Sequence, residues 1–174
     1  DAYALSGKAV TLALKGEPAK GRALVVGEDG VLPTAPQMVY AAGLCSLHQG
    51  DAAGAQATLE KIGAGPGAQL WWQLAYVESL RQLGRHTEAD KIVSARLAAK
   101  KIGRAQALPY MALIKRDLGH TKQAKTLLEE ALGLQPGYQR PEDLRHLVRM
   151  PTAATGAIKV MLSAPAQPAA PPAT

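Results

Sequence analysis

Apolar side chains recur every three to four positions along this chain, in short runs closed by glycine or proline. That period belongs to helices with one buried face, and only the short stretch at residues 156–162 could be either helix or strand. The pattern predicts helices at residues 3–15, 18–28, 36–49, 52–62, 69–83, 86–101, 105–118, 121–133 and 141–149. Gly63, Gly65, Pro66 and Gly67 mark a clear break between two of them. Pro109 is expected in the first turn of its helix, where a missing N–H costs little. Pro141, followed by Glu142 and Asp143, reads as a helix start, with acids at the positive end of the helix dipole. The helix it opens interleaves charges with Leu144, Leu147 and Val148, as a capping helix would. From Pro151 the pattern fades. Residues 163–174 are almost entirely Ala, Pro, Gln and Thr, a composition that predicts an extended tail or linker.

A longer period overlies the helical one. Gly16, Gly50, Gly84 and Gly119 each follow a leucine closely and lie 34, 34 and 35 residues apart. Five residues beyond them stand Gly21, Ala55, Ala89 and Ala124, all small; nine beyond stand Val25, Leu59, Val93 and Leu128, all aliphatic. Seventeen beyond stand Pro33, Gly67, Lys101 and Pro136, three of which break helices; seven before stand Ala9, Gly43, Val77 and Ala112. A glycine can take the positive φ that ends a first helix. A small residue one turn into the second helix lets the two axes approach, and the aliphatic residue a turn later fills the groove between them. A single hairpin cannot bury its own apolar face, so neighbours must stack.

This register resembles that of the tetratricopeptide repeat family. The best unit is Leu108 to Pro136, LPYMALIKRDLGHTKQAKTLLEEALGLQP, with Gly119, Ala124, Leu128, Ala131 and Pro136 in place. The unit around Gly84 has Arg96 where a small residue is expected, and the first unit has Glu28 there. The large aromatics usual in the family's first helices are mostly missing, Trp71, Trp72 and Tyr76 apart, so the chain reads as a divergent member. The resemblance implies an all-α fold, an α-solenoid of about four helix hairpins with a capping helix over residues 1–150, followed by the tail at 151–174. It also implies a concave groove lined by first helices. The positions it places there are Tyr40, Leu44, His48, Trp71, Leu74, Glu78, Arg81, Gln82, Tyr110, Leu113 and Arg116. Arg81 and Arg116 hold equivalent places, which predicts a basic row. Of the adjacent Trp71 and Trp72, one is expected buried and the other more exposed. Some relatives clamp a C-terminal carboxylate with lysines and asparagines, but this chain contains no Asn, which argues against that clamp.

Composition narrows the function. Apolar residues make up 47% of the chain but aromatics only 4%, with no Phe, so the core must be built from Ala, Leu, Val and Ile. The formal net charge is +6, and residues 81–150 hold 14 Lys plus Arg against 7 Asp plus Glu. Arg96, Lys100, Lys101 and Arg104 cluster without an interleaved aromatic, which argues against nucleic acid and leaves plain solubility ahead of an acidic protein partner. No stretch is long and apolar enough for a membrane span. The first residue is Asp1 rather than Met, as expected of a processed or truncated product, and this leans toward a periplasmic or cell-envelope location.

Catalytic patterns are missing from the sequence. His48, His86, His120 and His146 stand apart, with no pair at metal-ligand spacing, and three of them are expected as solvated turn residues. Cys45, mid-helix on an apolar face, reads as a buried, inert thiol. Glu129 and Glu130 are adjacent and point apart. The glycine-rich string at 63–67 follows a helix rather than a strand, unlike a phosphate loop. The expectation is a scaffold or adaptor without enzymatic activity, metal or cofactor, binding a peptide or helix of a protein partner. The alternative is a structural subunit of a larger envelope or secretion assembly, docking through its outer face or ends and open to self-association.

Overall fold

A computed structural model describes residues 1–27 and 30–134. Every regular element among them is a helix: α1 (Ala2–Leu14), α2 (Pro18–Val25), α3 (Pro36–Gln49), α4 (Ala52–Gly63), α5 (Leu70–Gln82), α6 (His86–Ala98), α7 (Arg104–Asp117) and α8 (Thr121–Leu134). The expected helix at 141–149 and the tail from 151 lie outside the described residues, as do Glu28 and Pro136. Contacts divide the chain into two compact units after Leu83.

In the first unit α1 packs on α2 and α3, α2 on α3, α3 on α4, and α4 on α5, while α3 also touches α5. Asp1 caps α1 through the Tyr3 amide at 3.0 Å, and Asp51 caps α4 through the Gly54 amide at 2.9 Å. Each cap satisfies one of the orphan donors of its helix start. Pro18 and Pro36 open α2 and α3, where proline gives up no helical bond. Gly16 and Gly50 have φ of 85° and 82°. In both turns the residue after the glycine donates back to the carbonyl five positions earlier: Glu17 to Leu12 at 2.9 Å, Asp51 to Ser46 at 3.0 Å. Such a turn ends a helix by folding its last carbonyls back onto the chain.

Small residues set the distance between helices here. A Cβ added to Gly21 would lie 2.6 Å from the Ala9 carbonyl oxygen and 3.0 Å from Cys45 Sγ, so α1 and α2 meet almost backbone to backbone and the Cys45 side chain of α3 closes against them. A Cβ on Gly43 would fall 2.5 Å from Leu59 Cγ, so α3 and α4 also approach closely at this glycine. Gly63 does the same for α4 against α5, with a Cβ reaching 2.8 Å from the Trp72 carbonyl oxygen. Around Gly21 a core of Ala9, Ala13, Val25, Val26, Ala41, Ala42 and Cys45 closes, joined by Val10, Leu24, Leu32 and Met38.

In the second unit α6 packs on α7 and α7 on α8. Gly119, at φ 80°, closes α7 with the same turn, His120 donating to Lys115 at 2.8 Å. Two features depart from expectation. First, α6 stops at Ala98, three residues early, because Lys100 takes the left-handed conformation (φ 54°) and Lys101 donates back to Arg96 at 2.9 Å. Lysine thus fills a place usually given to glycine, at a steric cost. Second, Pro109 is the sixth residue of α7, past the first turn, so one backbone bond to Ala105 is forgone. Arg96, where a small residue was expected, is buried, and desolvation lowers its pKa. Lys115 reaches Asp90 at 2.7 Å to tie α7 to α6, and Arg104 pairs with Glu130 to tie α7 to α8. That hydrogen bond holds the Glu130 carboxyl below its usual pKa.

Candidate partner-binding face

In the first unit the candidate residues come from α3 and α5. Tyr40, Leu44 and His48 follow one another at four-residue spacing on α3, so they share one side of it. Leu44 is fully buried, while Tyr40 and His48 are half-buried at either end of the row. On α5, Trp71, Leu74, Glu78 and then Arg81 and Gln82 occupy one side in the same way. Leu74 and Glu78 are buried, Trp71 and Arg81 half-buried, and Gln82 exposed.

Glu78, Arg81 and Gln82 form one cluster. The Glu78 carboxylate is only 1% exposed and accepts from Arg81 Nε and Nη2, both at 2.9 Å, and from Gln82 Nε2 at 3.0 Å. Two parallel bonds from one guanidinium give the pair a fixed, fork-like geometry. A carboxylate this deeply buried would cost several kcal/mol if left alone, on the order of 3–5, so Arg81 is what makes it tolerable.

Trp71 and Trp72 are both half-buried, rather than one buried and one exposed. They sit in the first turn of α5, where the end of α4 crosses closely: Gly63 comes against the Trp72 carbonyl. The loop before them is pinned by Gln73, whose Nε2 donates to the Gly65 carbonyl at 3.0 Å. Gln73 is 3% exposed and was not anticipated as part of this surface. A polar residue amid the apolar positions of α5 was the available signal, because buried amides need a fixed partner.

In the second unit Tyr110 and Leu113 are buried on α7, and Arg116 is half-buried, bonding Asp117 through Nη2 at 2.9 Å. Neither arginine of the expected basic row is a bare cation, since each holds a carboxylate of its own helix. Among the histidines, His48 and His86 are half-buried rather than solvated, His120 is exposed, and His146 lies outside the described residues. Cys45 is fully buried, its thiol pointing to the Ala9 carbonyl at 3.8 Å, and desolvation pushes its pKa up to about 11. At neutral pH it is a thiol, not a thiolate nucleophile.

No protein-family model, curated protein or solved structure matches the chain.

Proposed function

We propose that this protein is a non-catalytic interaction scaffold of the tetratricopeptide kind, a solenoid of helix hairpins that holds a segment of a protein partner on its first helices. The observation that carries this reading is periodic. Glycines 34, 34 and 35 residues apart all have positive φ, at 85°, 82°, 77° and 80°. A chain that turns the same way at one fixed interval is building one supersecondary unit repeatedly, and such arrays use their first helices as extended binding surfaces. On α3 and α5 the segment would meet Tyr40, His48, Trp71, Arg81 and Gln82 around the buried Leu44, Leu74 and Glu78. Tyr110, Leu113 and Arg116 hold the corresponding places on α7. Trp71 is the natural anchor, since aromatic residues dominate the energetics of interfaces. Affinity capture with the full chain, with Trp71→Ala and with Tyr40→Ala tests this. Retention of every partner by both folded variants would end the reading.

One observation favours the alternative, a subunit that docks through an end. Among the described residues the exposed large apolar side chains are Tyr3, Leu5, Leu14, Val31, Leu83 and Leu134, and three of these six lie on α1. Tyr3 and Leu14, eleven residues apart, share one side of α1 while Leu5 faces away, so a partner docking here would lie along that side of the helix. Under this reading, sedimentation velocity over a range of concentrations shows self-association that Tyr3→Ser with Leu14→Ser abolishes. A monomer at every concentration removes the self-associating form.

A further inference from the structure

We propose that two copies of this chain pair through the exposed side of α1, antiparallel about a two-fold axis at its centre. The proposal rests on the second reading above, of α1 as a docking surface, and names the occupant and its register.

The packed side of α1 is Ser6, Ala9 and Ala13. The opposite side is open. Tyr3 is 72% exposed and Leu14 41%, and a Cβ added to Gly7 would meet nothing within 4 Å. At about 3.6 residues per turn, Tyr3 and Leu14 lie along one edge of this open side. Asp1, Lys8 and Lys15 lie along the other edge, all exposed. Between the edges run the small residues Ala4, Gly7 and Thr11. Thr11 turns its hydroxyl back into the helix, donating to the Gly7 carbonyl at 2.9 Å.

This side fits itself. A two-fold interface makes each contact twice, one residue against a second and the second against the first. The pairs Tyr3 with Leu14, Ala4 with Thr11 and Asp1 with Lys15 all have midpoints within one residue of Lys8. A second copy turned end for end therefore sets its Leu14 on Tyr3 and its Tyr3 on Leu14, covering the large apolar side chains at both ends. The same turn lays like edge on like edge, so the Asp1 carboxylate meets Lys15 of the second copy, again at both ends. The cap on the Tyr3 amide at 3.0 Å already holds the Asp1 side chain in place. A parallel copy would set the Tyr3 and Leu14 edge against the lysine edge and lose these matches. An unrelated partner has no use for a spacing symmetric about one residue. One contact opposes the pairing, because Lys8 meets Lys8 of the second copy at the centre. A single helix about 20 Å long also covers less than the ~1,200 Å² of a standard interface, so the dimer is weak and reversible.

Sedimentation equilibrium of the whole chain from about 5 µM to about 1 mM tests the pairing. The expected result is a reversible monomer–dimer equilibrium. Lys15→Gln should loosen it about threefold, and Lys8→Gln should tighten it about twofold. Gly7→Gln should abolish it and leave the monomer folded by circular dichroism, because the site is exposed and glutamine is the better helix former. Orientation is read by mixing a Tyr3→Cys chain with a Leu14→Cys chain under mild oxidation. Disulfides should join the two variants in clear excess over those within either, and Cys45, fully buried, does not compete. Cross-links no more frequent between the variants than within them overturn the antiparallel register, while loss of the dimer in Gly7→Gln keeps α1 as the surface. A dimer that survives Gly7→Gln lies elsewhere and overturns both this proposal and the reading of α1. A chain that stays monomeric to about 1 mM overturns the proposal alone and leaves α1 to a partner of another kind.

Discussion

Replacing Gly21 by alanine adds one methyl group where two helices nearly touch. In the folded chain that Cβ would stand 2.6 Å from the Ala9 carbonyl oxygen, against an ordinary contact of 3.4 Å or more. The gap must open by about 0.8 Å, and the obstacle is backbone, which cannot rotate aside as a side chain would. Cys45 Sγ, at 3.0 Å, blocks the third direction. Overpacking of this kind costs about 1–3 kcal/mol, and alanine returns about 1 kcal/mol through its better helix propensity. The net expectation is a loss of up to about 2 kcal/mol, against the gain expected where no overpacking occurs. Gly7→Ala is the matched control: Gly7 is also helical, is exposed, and has nothing within 4 Å of an added Cβ. There the propensity gain stands alone, so stability should rise by up to about 1 kcal/mol. Urea titrations followed by far-ultraviolet circular dichroism read both. If the two substitutions shift the midpoint in the same direction and by the same amount, α1 and α2 do not approach as described and the reasoning fails.

Three further outcomes are expected. Arg81→Ala strands a buried carboxylate and should cost about 3 kcal/mol in the same titration, whereas a loss below about 0.5 kcal/mol would mean that Glu78 is solvated. Lys100→Gly relieves a left-handed lysine at the end of α6 and should stabilise by about 0.5–1 kcal/mol; destabilisation in thermal melts would show that Lys100 makes a contact worth more than its strain. Cys45 should react with a thiol reagent only after denaturation. Because folding raises its pKa to about 11 from a reference of 9.0, the folded state binds the proton more tightly. Its contribution is complete below about pH 9 and is lost as pH rises toward 11, and no such decline should appear in Cys45→Ala.

The helices were legible because period and punctuation agree. The glycines at 16, 50 and 119 close helices by the turn that their spacing implied, and Pro18 and Pro36 open the helices they were expected to open. Where the sequence misled, a local rule met a tertiary demand. Lysine is a good helix former, so helix was expected through residue 101, yet Lys100 turns left-handed. Proline prefers the first turn, yet Pro109 sits beyond it and is buried, where its apolar ring packs. The Glu78–Arg81 pair was hidden for a different reason. An acid and a base three residues apart on a helix usually form a weak solvated pair. Only burial shows that Glu78 and Arg81 are one unit, and burial is not written in spacing. The Gln73 clasp on Gly65 was invisible likewise, because it joins a helix to a loop whose path the sequence did not fix.

The central claim, that first helices carry the binding surface, is tested most directly by one comparison of dissociation constants. A peptide selected on the parent chain should bind Trp71→Ala at least about tenfold more weakly, as loss of an interface anchor implies, and should bind the Tyr3→Ser, Leu14→Ser double variant as well as it binds the parent. Undiminished binding to Trp71→Ala, together with loss on the α1 variant, would move the function to the end of the chain and contradict the account.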